Sequence, residues 1–294
     1  MFDCIYKLCD NRFLDGFYNN LMFDKMIKDN IDRYKSTQLR LCQLKQLEIL
    51  KNVDSICREN NIRYWLDGGT LLGAIRHQGF IPWDDDLDIA MPIEDFEKFK
   101  IVAQKKLPDN LFLQTKETDP STPHHFAKIR DLNSFFVEYG DDFTQSYQKG
   151  IYIDIFCFVK YPSIPPKILS FLSRNISKSL AILGKRRSFL DFKSVCEIPY
   201  FLFKYLLFYP IWRFLFLFRG DKYISFQVED NAFGIIHSKD SIFPLAVNQF
   251  ENFEFPVPNN SDAYLTDQYG DYMILPPINK RQIHAVYIHA NLNE

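Results

Sequence analysis

Between residues 66 and 89 the chain gathers groups suited to handling phosphate and metal. Leu66-Asp67-Gly68-Gly69-Thr70-Leu71-Leu72-Gly73-Ala74-Ile75-Arg76-His77 is followed closely by Ile81-Pro82-Trp83-Asp84-Asp85-Asp86-Leu87-Asp88-Ile89. A glycine pair between a strand and a helix N-terminus gives backbone N–H groups room to face a phosphate. Asp86 and Asp88 are two apart on an expected strand, so both carboxylates project from one face. Such a pair repels unless a cation, a proton or an arginine lies between its members. The plainer alternative is a solvated acidic turn at Asp84-Asp85-Asp86. Three features favour a metal. The acids run into apolar Leu87, Ile89 and Met91; the glycine turn lies just upstream; and Asp154 interrupts the apolar run Ile151-Tyr152-Ile153-Asp154-Ile155-Phe156. An unpaired carboxylate is costly to bury there. Asp86, Asp88 and Asp154 on neighbouring strands would hold one or two Mg²⁺, with Mn²⁺ as the alternative, through hard oxygen ligands.

Other candidates carry a competing structural role. Arg76, Lys128 and Arg130 suit diphosphate clamping, because guanidinium matches phosphate oxygens bidentately; surface ion pairing, such as Arg130 with Asp131, is the rival reading. His77 either touches substrate or pins its loop to Asp84 or Asp85. Arg281 and His284 recur at helical spacing and either close the site or cap a helix. His289 and the His124-His125 pair match no motif and fall to surface or core. Trp83 stacks on a base or a quaternary ammonium, or simply packs.

These residues need elements to position them. Leu41, Leu44, Leu47, Leu50, Val53 and Ile56 predict a helix from Ser36 to near Glu59. The run 62–66 is short, aromatic and β-branched and reads as a strand. A helix over 70–76 with Thr70 near its cap follows, then a loop from His77 to Trp83 and a strand at 87–91. Pro92 opens a helix with acids in its first turn and Lys105-Lys106 in its last, which suits the dipole at both ends. Strands are expected at 111–115, 126–129, 134–137 and 151–156. This alternation predicts an α/β (α+β) fold, a mixed β-sheet core flanked by helices. The expected divisions are an irregular extension over 1–36, a catalytic core over 37–160, a helical insertion over 161–235 and a completing segment over 236–294.

The chain has 294 residues, 47% of them hydrophobic, and a formal charge of −2. That excludes global disorder and disfavours nonspecific nucleic-acid binding, which shows a basic excess. Six scattered cysteines and a short acidic N-terminus suggest reduced thiols, no signal peptide and a cytosolic setting. The insertion stands apart. Residues 167–193 are rich in Lys and Arg, and residues 198–218 hold ten aromatics and two charges, Lys204 and Arg213. The length of 198–218 permits a membrane span, but the central cations and Pro199 and Pro210 oppose one. A buried hairpin and an interfacial segment remain, with the interface favoured and Phe201, Phe208 and Trp212 as its expected anchors.

The glycine turn, the Asp-hydrophobic-Asp step and the later strand aspartate resemble the nucleotidyltransferase superfamily. Within it the chain resembles the LicD family, which includes the fukutin-like proteins. The segments carrying the resemblance are YWLDGGTLLGAIRHQGFIPWDDDLDIAM (64–91), FAKIRDLNS (126–134), IYIDIF (151–156) and YLTDQYGDYMILPP with Arg281 and His284 behind it (264–284). The resemblance implies a nucleotidyltransferase-like fold. It also implies Mg²⁺-dependent transfer of a phospho-alcohol, typically phosphocholine from CDP-choline or another CDP-alcohol, to a hydroxyl of a cell-surface glycan, with release of CMP. The glycan would be of lipopolysaccharide, capsule or teichoic-acid type and in some cases lipid-linked, and the enzyme cytoplasmic or peripheral at the inner membrane face. In that reading Gly68, Gly69 and Thr70 approach the donor phosphates, Asp86 and Asp88 hold the metal, and Asp154 completes the site and activates the acceptor. Two rivals are nucleotidyl transfer from an NTP with pyrophosphate release, and a non-catalytic binding protein on the same fold.

Overall fold

The computed structural model describes residues 21–184, 192–281 and 283–291. The expectations for residues 1–20 and for the basic run at 185–187 lie outside them. The first helix, α1, spans Leu21–Glu59 and so begins well before the expected Ser36. Residues 21–35 contain neither Gly nor Pro, and once a helix is nucleated each added residue costs little. After a left-handed turn at Asn61 (φ 51°) the chain forms β1, Trp65–Leu66. The expected strand over 62–66 is thus reduced to two paired residues, while Ile62 and Tyr64 bury their side chains on the way into the sheet.

Helix α2 (Gly68–His77), strand β2 (Asp88–Pro92) and helix α3 (Ile93–Lys106) follow. Strands β3 (Leu111–Gln114), β4 (Ala127–Asp131), β5 (Phe135–Glu138) and β6 (Tyr152–Pro162) come next. Helices α4 (Pro166–Leu183) and α5 (Phe192–Phe216) then lead to β7 (Arg219–Phe226) and β8 (His237–Ser238). The remainder is a short α6 (Lys239–Ile242), the hairpin β9 (Ala246–Phe250) and β10 (Phe253–Val257), α7 (Ser261–Tyr269) and β11 (Ala285–His289).

The main sheet runs β1-β2-β6-β4-β3, with β7 and β8 continuing from β6. It is mixed: β2 and β6 are parallel, and the other pairs are antiparallel. The result is a curled mixed sheet flanked by helices, as the sequence predicts. β6 is the organising strand. Its first half lies between β2 and β4 and carries Asp154, and its second half pairs with β7. Ile89, Ala90 and Met91 are buried, as are Ile153, Ile155 and Phe158, so this sheet centre is apolar.

Between β6 and β7 the chain builds a second core. Tyr161, Leu169, Leu172, Ile176, Trp212 and Val228 are buried together, with Trp212 edge-on to Tyr161 at 4.7 Å. α5 carries Pro199 and Pro210, and among the described residues no helix is long and apolar enough to cross a membrane. Phe201 and Trp212 point inward, at 8% and 3% exposure, and Phe208 packs against this core. Their assignment as interfacial anchors is therefore corrected. The helix must bury one face against α4, and these rings lie on that face.

Candidate active site

The acidic run is extended, and its side chains alternate. Asp84, Asp86 and Asp88 are partly exposed on one side, while Asp85, Leu87 and Ile89 are buried on the other. Asp85 is fully buried and accepts hydrogen bonds from the backbone N–H of His284 (3.0 Å) and of Ala285 (2.6 Å). The His284 Nδ1 lies 3.2 Å from the same carboxylate and 3.5 Å from Asp86. On the other side α1 holds the backbone of the run. Gln43 Nε2 donates to the Asp84 carbonyl and Gln46 Nε2 to the Asp85 carbonyl, each at 2.8 Å.

Gly68 and Gly69 begin α2 directly against these acids. Gly68 has φ 53°, and a Cβ there would stand 2.7 Å from Asp88 Oδ2. A Cβ on Gly69 would stand 2.8 Å from Asp84 Oδ2. Sequence alone assigns the glycine pair to a phosphate; the structure shows two carboxylates against it. Thr70 Oγ1 accepts the Asp88 N–H at 2.8 Å and fixes the start of β2 to the turn. Asp67, almost fully buried, accepts from Tyr264 Oη (2.7 Å) and Gln268 Nε2 (3.0 Å), which ties α7 to the same turn.

Sheet register completes the cleft. Asp88 is level with Asp154, Asp154 with Lys128, and Lys128 with Gln114 across β2, β6, β4 and β3. Lys128 is buried, its Nζ 2.8 Å from Asp154 Oδ1 and 3.4 Å from the centre of the Tyr152 ring. The electrostatics follow. Burial, then the charges of Asp86, Asp154, Asp67 and Asp84, drive the Asp88 carboxyl well above the usual range. Burial, then the Asp86 charge, pushes Asp84 up to about 9. Burial raises Asp86 too, against the opposing pull of His284. Asp154 rises only to about 6, because Lys128 offsets its burial. His284 is lifted to about 9 by its hydrogen bond to Asp85.

Among the described residues no three Asp, Glu, His or Cys side chains are drawn together into a ready-made metal cage. The donor chemistry nevertheless fits a hard divalent cation at Asp86 and Asp88, where each carboxylate lowers the stability of its neighbours' charge and oxygen is the available donor. Asp154 differs from the sequence expectation of a free third ligand, since it already has Lys128 as its ion partner.

Gly68, Gly69, Thr70, Asp86, Asp88, Asp154, Lys128 and His284 converge on this cleft. Arg76 lies at its rim: its Nη1 donates to the Tyr272 carbonyl at 2.7 Å, and Asp84 acts on it electrostatically. His77 faces Trp83 edge-on and does not tie the loop to Asp84 or Asp85; its other neighbour is Arg76. Arg281 lies over Trp83, 4.0 Å from a ring centre, with Nε donating to the Pro276 carbonyl. Arg281 and His284 are not on one helix. A single 3₁₀ turn ends at Lys280, and His284 immediately precedes β11. Arg130 is corrected from clamp to scaffold. It is 2% exposed, its guanidinium donates to Gln114 Oε1 (2.7 Å) and the Gly150 carbonyl (2.8 Å), and it lies over Tyr152.

Several participants escape the sequence reading. Asp84 is legible by the same two-residue step that pairs Asp86 with Asp88. Gln43 and Gln46 have a subtler signal: they interrupt the apolar stripe of α1, where a buried amide needs a partner. Tyr269 is one of many aromatics in the sequence, and nothing there singles it out as a neighbour of the acids; its phenol is raised by burial and by Asp88, Asp67, Asp84 and Asp86.

Residues 61–175 match the LicD/FKTN/FKRP nucleotidyltransferase domain. This stretch of the chain is a LicD-type domain. It is 28% identical over 271 residues to the lipopolysaccharide cholinephosphotransferase LicD of Haemophilus influenzae, covering 86% of this chain and 97% of that protein. An uncharacterized protein of Rickettsia prowazekii is 36% identical over 135 residues, 46% of each chain. The human ribitol 5-phosphate transferase FKRP is 46% identical over 55 residues, 18% of this chain and 11% of that protein. The two relatives with named activities are both transferases of a phosphorylated alcohol.

Proposed function

We propose that this protein transfers a phospho-alcohol, phosphocholine first among the candidates, from a CDP-activated donor to a hydroxyl of a cell-surface glycan of the lipopolysaccharide type. One observation carries this reading: Asp84, Asp86, Asp88 and Asp154 face one cleft against the glycine turn, with Lys128 as the buried counter-charge. Asp86 and Asp88 would hold Mg²⁺ or Mn²⁺, and such a cation neutralises charge on a donor diphosphate and on the departing CMP.

The chain's own residues do the rest. The acceptor oxygen attacks the phosphorus that bears the alcohol; the new O–P bond forms as the bridging P–O bond to CMP breaks, and CMP leaves with the electron pair. Asp154 takes the hydroxyl proton, kept ionised near neutrality by Lys128. Arg281, lying over Trp83, and Arg76 supply positive charge at the mouth, where the diphosphate enters. Asp85 acts by position, locking the segment that carries His284 to the acidic run.

Thermal shift with CDP-choline, CDP-ethanolamine, CDP-glycerol, CDP-ribitol, CTP, ATP and UTP, each with Mg²⁺ or EDTA, tests this. A ligand at about 100 times its Kd adds about 2.7 kcal/mol, which raises Tm by several degrees in a chain of this size. A Mg²⁺-dependent shift with one CDP-alcohol is the expected result and names the headgroup. Shifts with NTPs alone would replace the reading with nucleotidyl transfer.

A further inference from the structure

Helix α5 has two apolar faces and buries only one. Trp212, Tyr205 and Phe208 pack inward with residues of α4 and β6. Tyr200, Phe203, Leu207, Ile211 and Phe214 recur every three or four residues on the opposite side, which makes them one stripe along the helix. Their exposures are 57, 65, 45, 43 and 61%. Leu217 and Phe218, 74 and 65% exposed, prolong it past the helix end. A soluble surface seldom leaves so long an aromatic stripe open to water.

Charge indicates what covers it. Residues 164–222 contain eleven Lys or Arg and three Asp or Glu, a balance of +8, whereas the whole chain stands at −2, so the remainder carries −10. The cationic segment is the one that bears the stripe. Lys204 stands beside it, its Nζ 5.2 Å from the Tyr200 ring centre, and Arg213 is exposed. A second copy docking face to face would set Lys204 and Arg213 against like charges. Aromatic and aliphatic side chains flanked by cations match the boundary of an anionic bilayer, where rings enter the headgroup region and Lys or Arg meet lipid phosphates.

We propose that the outer face of α5 seats this protein peripherally on a bilayer containing anionic phospholipid. This stands apart from the catalytic reading, since none of its residues belongs to the acidic cleft. The test is flotation of the full chain with vesicles of phosphatidylcholine alone, or with about 30% phosphatidylglycerol added, at low and at high salt. The wild type is expected to float with the anionic vesicles and to be released by salt.

Phe203→Ser/Phe214→Ser is expected to weaken vesicle binding at least about tenfold, with circular dichroism and Tm unchanged because both side chains face outward. Lys204→Glu/Arg213→Glu, which leaves the stripe intact, is expected to abolish the preference for anionic vesicles. Full recovery of the wild type in the soluble fraction would overturn the proposal. So would equal flotation of wild type and both variants. Sedimentation velocity distinguishes the rival occupant: a dimer dispersed by Phe203→Ser/Phe214→Ser, without vesicle binding, would assign the stripe to self-association instead.

Discussion

Around the acidic cleft, position is set by polar contacts that each have one geometry. Gln43 and Gln46 hold backbone carbonyls, Asp85 holds two backbone N–H groups, and Tyr264 with Gln268 holds Asp67. Under α5, position is set mainly by ring and aliphatic packing, Trp212 on Tyr161 and Phe208 on Phe171. The cleft therefore withstands internal repulsion: like charges stay close because their backbones are tethered from three sides. The hairpin stores no comparable conflict. Its inner face contributes stability and its outer face contributes none. Neutralising a charge in the cleft should thus cost activity and not stability, while truncating an inner ring of the hairpin should do the reverse.

The strongest way to break that contrast is Asp88→Asn. The amide keeps the shape, and the Thr70 anchor binds the backbone, so it survives. Turnover is expected to fall about a thousandfold or more. In EDTA the variant's Tm should equal or exceed the wild type's, because Asp86, Asp154, Asp67 and Asp84 no longer face a further buried carboxyl at position 88. Near-normal turnover would remove Asp88 from the proposed metal site, and a large drop in Tm would show that its charge is structural.

Trp212→Ala sharpens the other side. The indole is 3% exposed in the second core, so its loss should cost about 3–5 kcal/mol in urea unfolding. Activity per folded molecule with a soluble acceptor should stay close to wild type. A destabilisation below about 1 kcal/mol would mean the hairpin core collapses around the gap.

How much of this was legible without coordinates differs between the two regions. Asp86, Asp88 and the glycine turn stand out because spacing on a strand and at a helix start dictates direction from local rules alone. Asp154 could be suspected as a buried acid, but Lys128 as its partner depends on β4 lying antiparallel beside β6, a pairing between residues far apart in the chain. Arg130 stays open between clamp and ion pair in the sequence for the same reason: Gln114 and Gly150 reach it only through the sheet. In the hairpin, composition revealed an apolar aromatic helix. It did not reveal which face turns inward, because a stretch hydrophobic on all sides carries no periodic signal. Phe201 and Trp212 were therefore assigned to the wrong side.

The smallest effect concerns a basic corner that mirrors the acidic cleft. His124 packs on Phe126 near Lys128 and Arg130, and burial followed by the charges of those two residues lowers its imidazole to about 3. In the unfolded chain the imidazole titrates near its ordinary value of about 6.5. Between those limits the unfolded state binds the extra proton, so this contribution to stability is present above about 6.5 and lost as pH falls toward 3. Asp84, raised to about 9, has the opposite sign and loses stability as pH rises. Comparing wild type with His124→Gln at each pH cancels the cleft and isolates the corner. The wild type's advantage should shrink by about 1 kcal/mol between pH 7 and pH 4, the full linkage being reduced because the side chain is 24% exposed. A difference that stays constant across that range would mean His124 is hydrated and titrates normally, and that the Lys128–Asp154 pair screens the corner as well as the cleft.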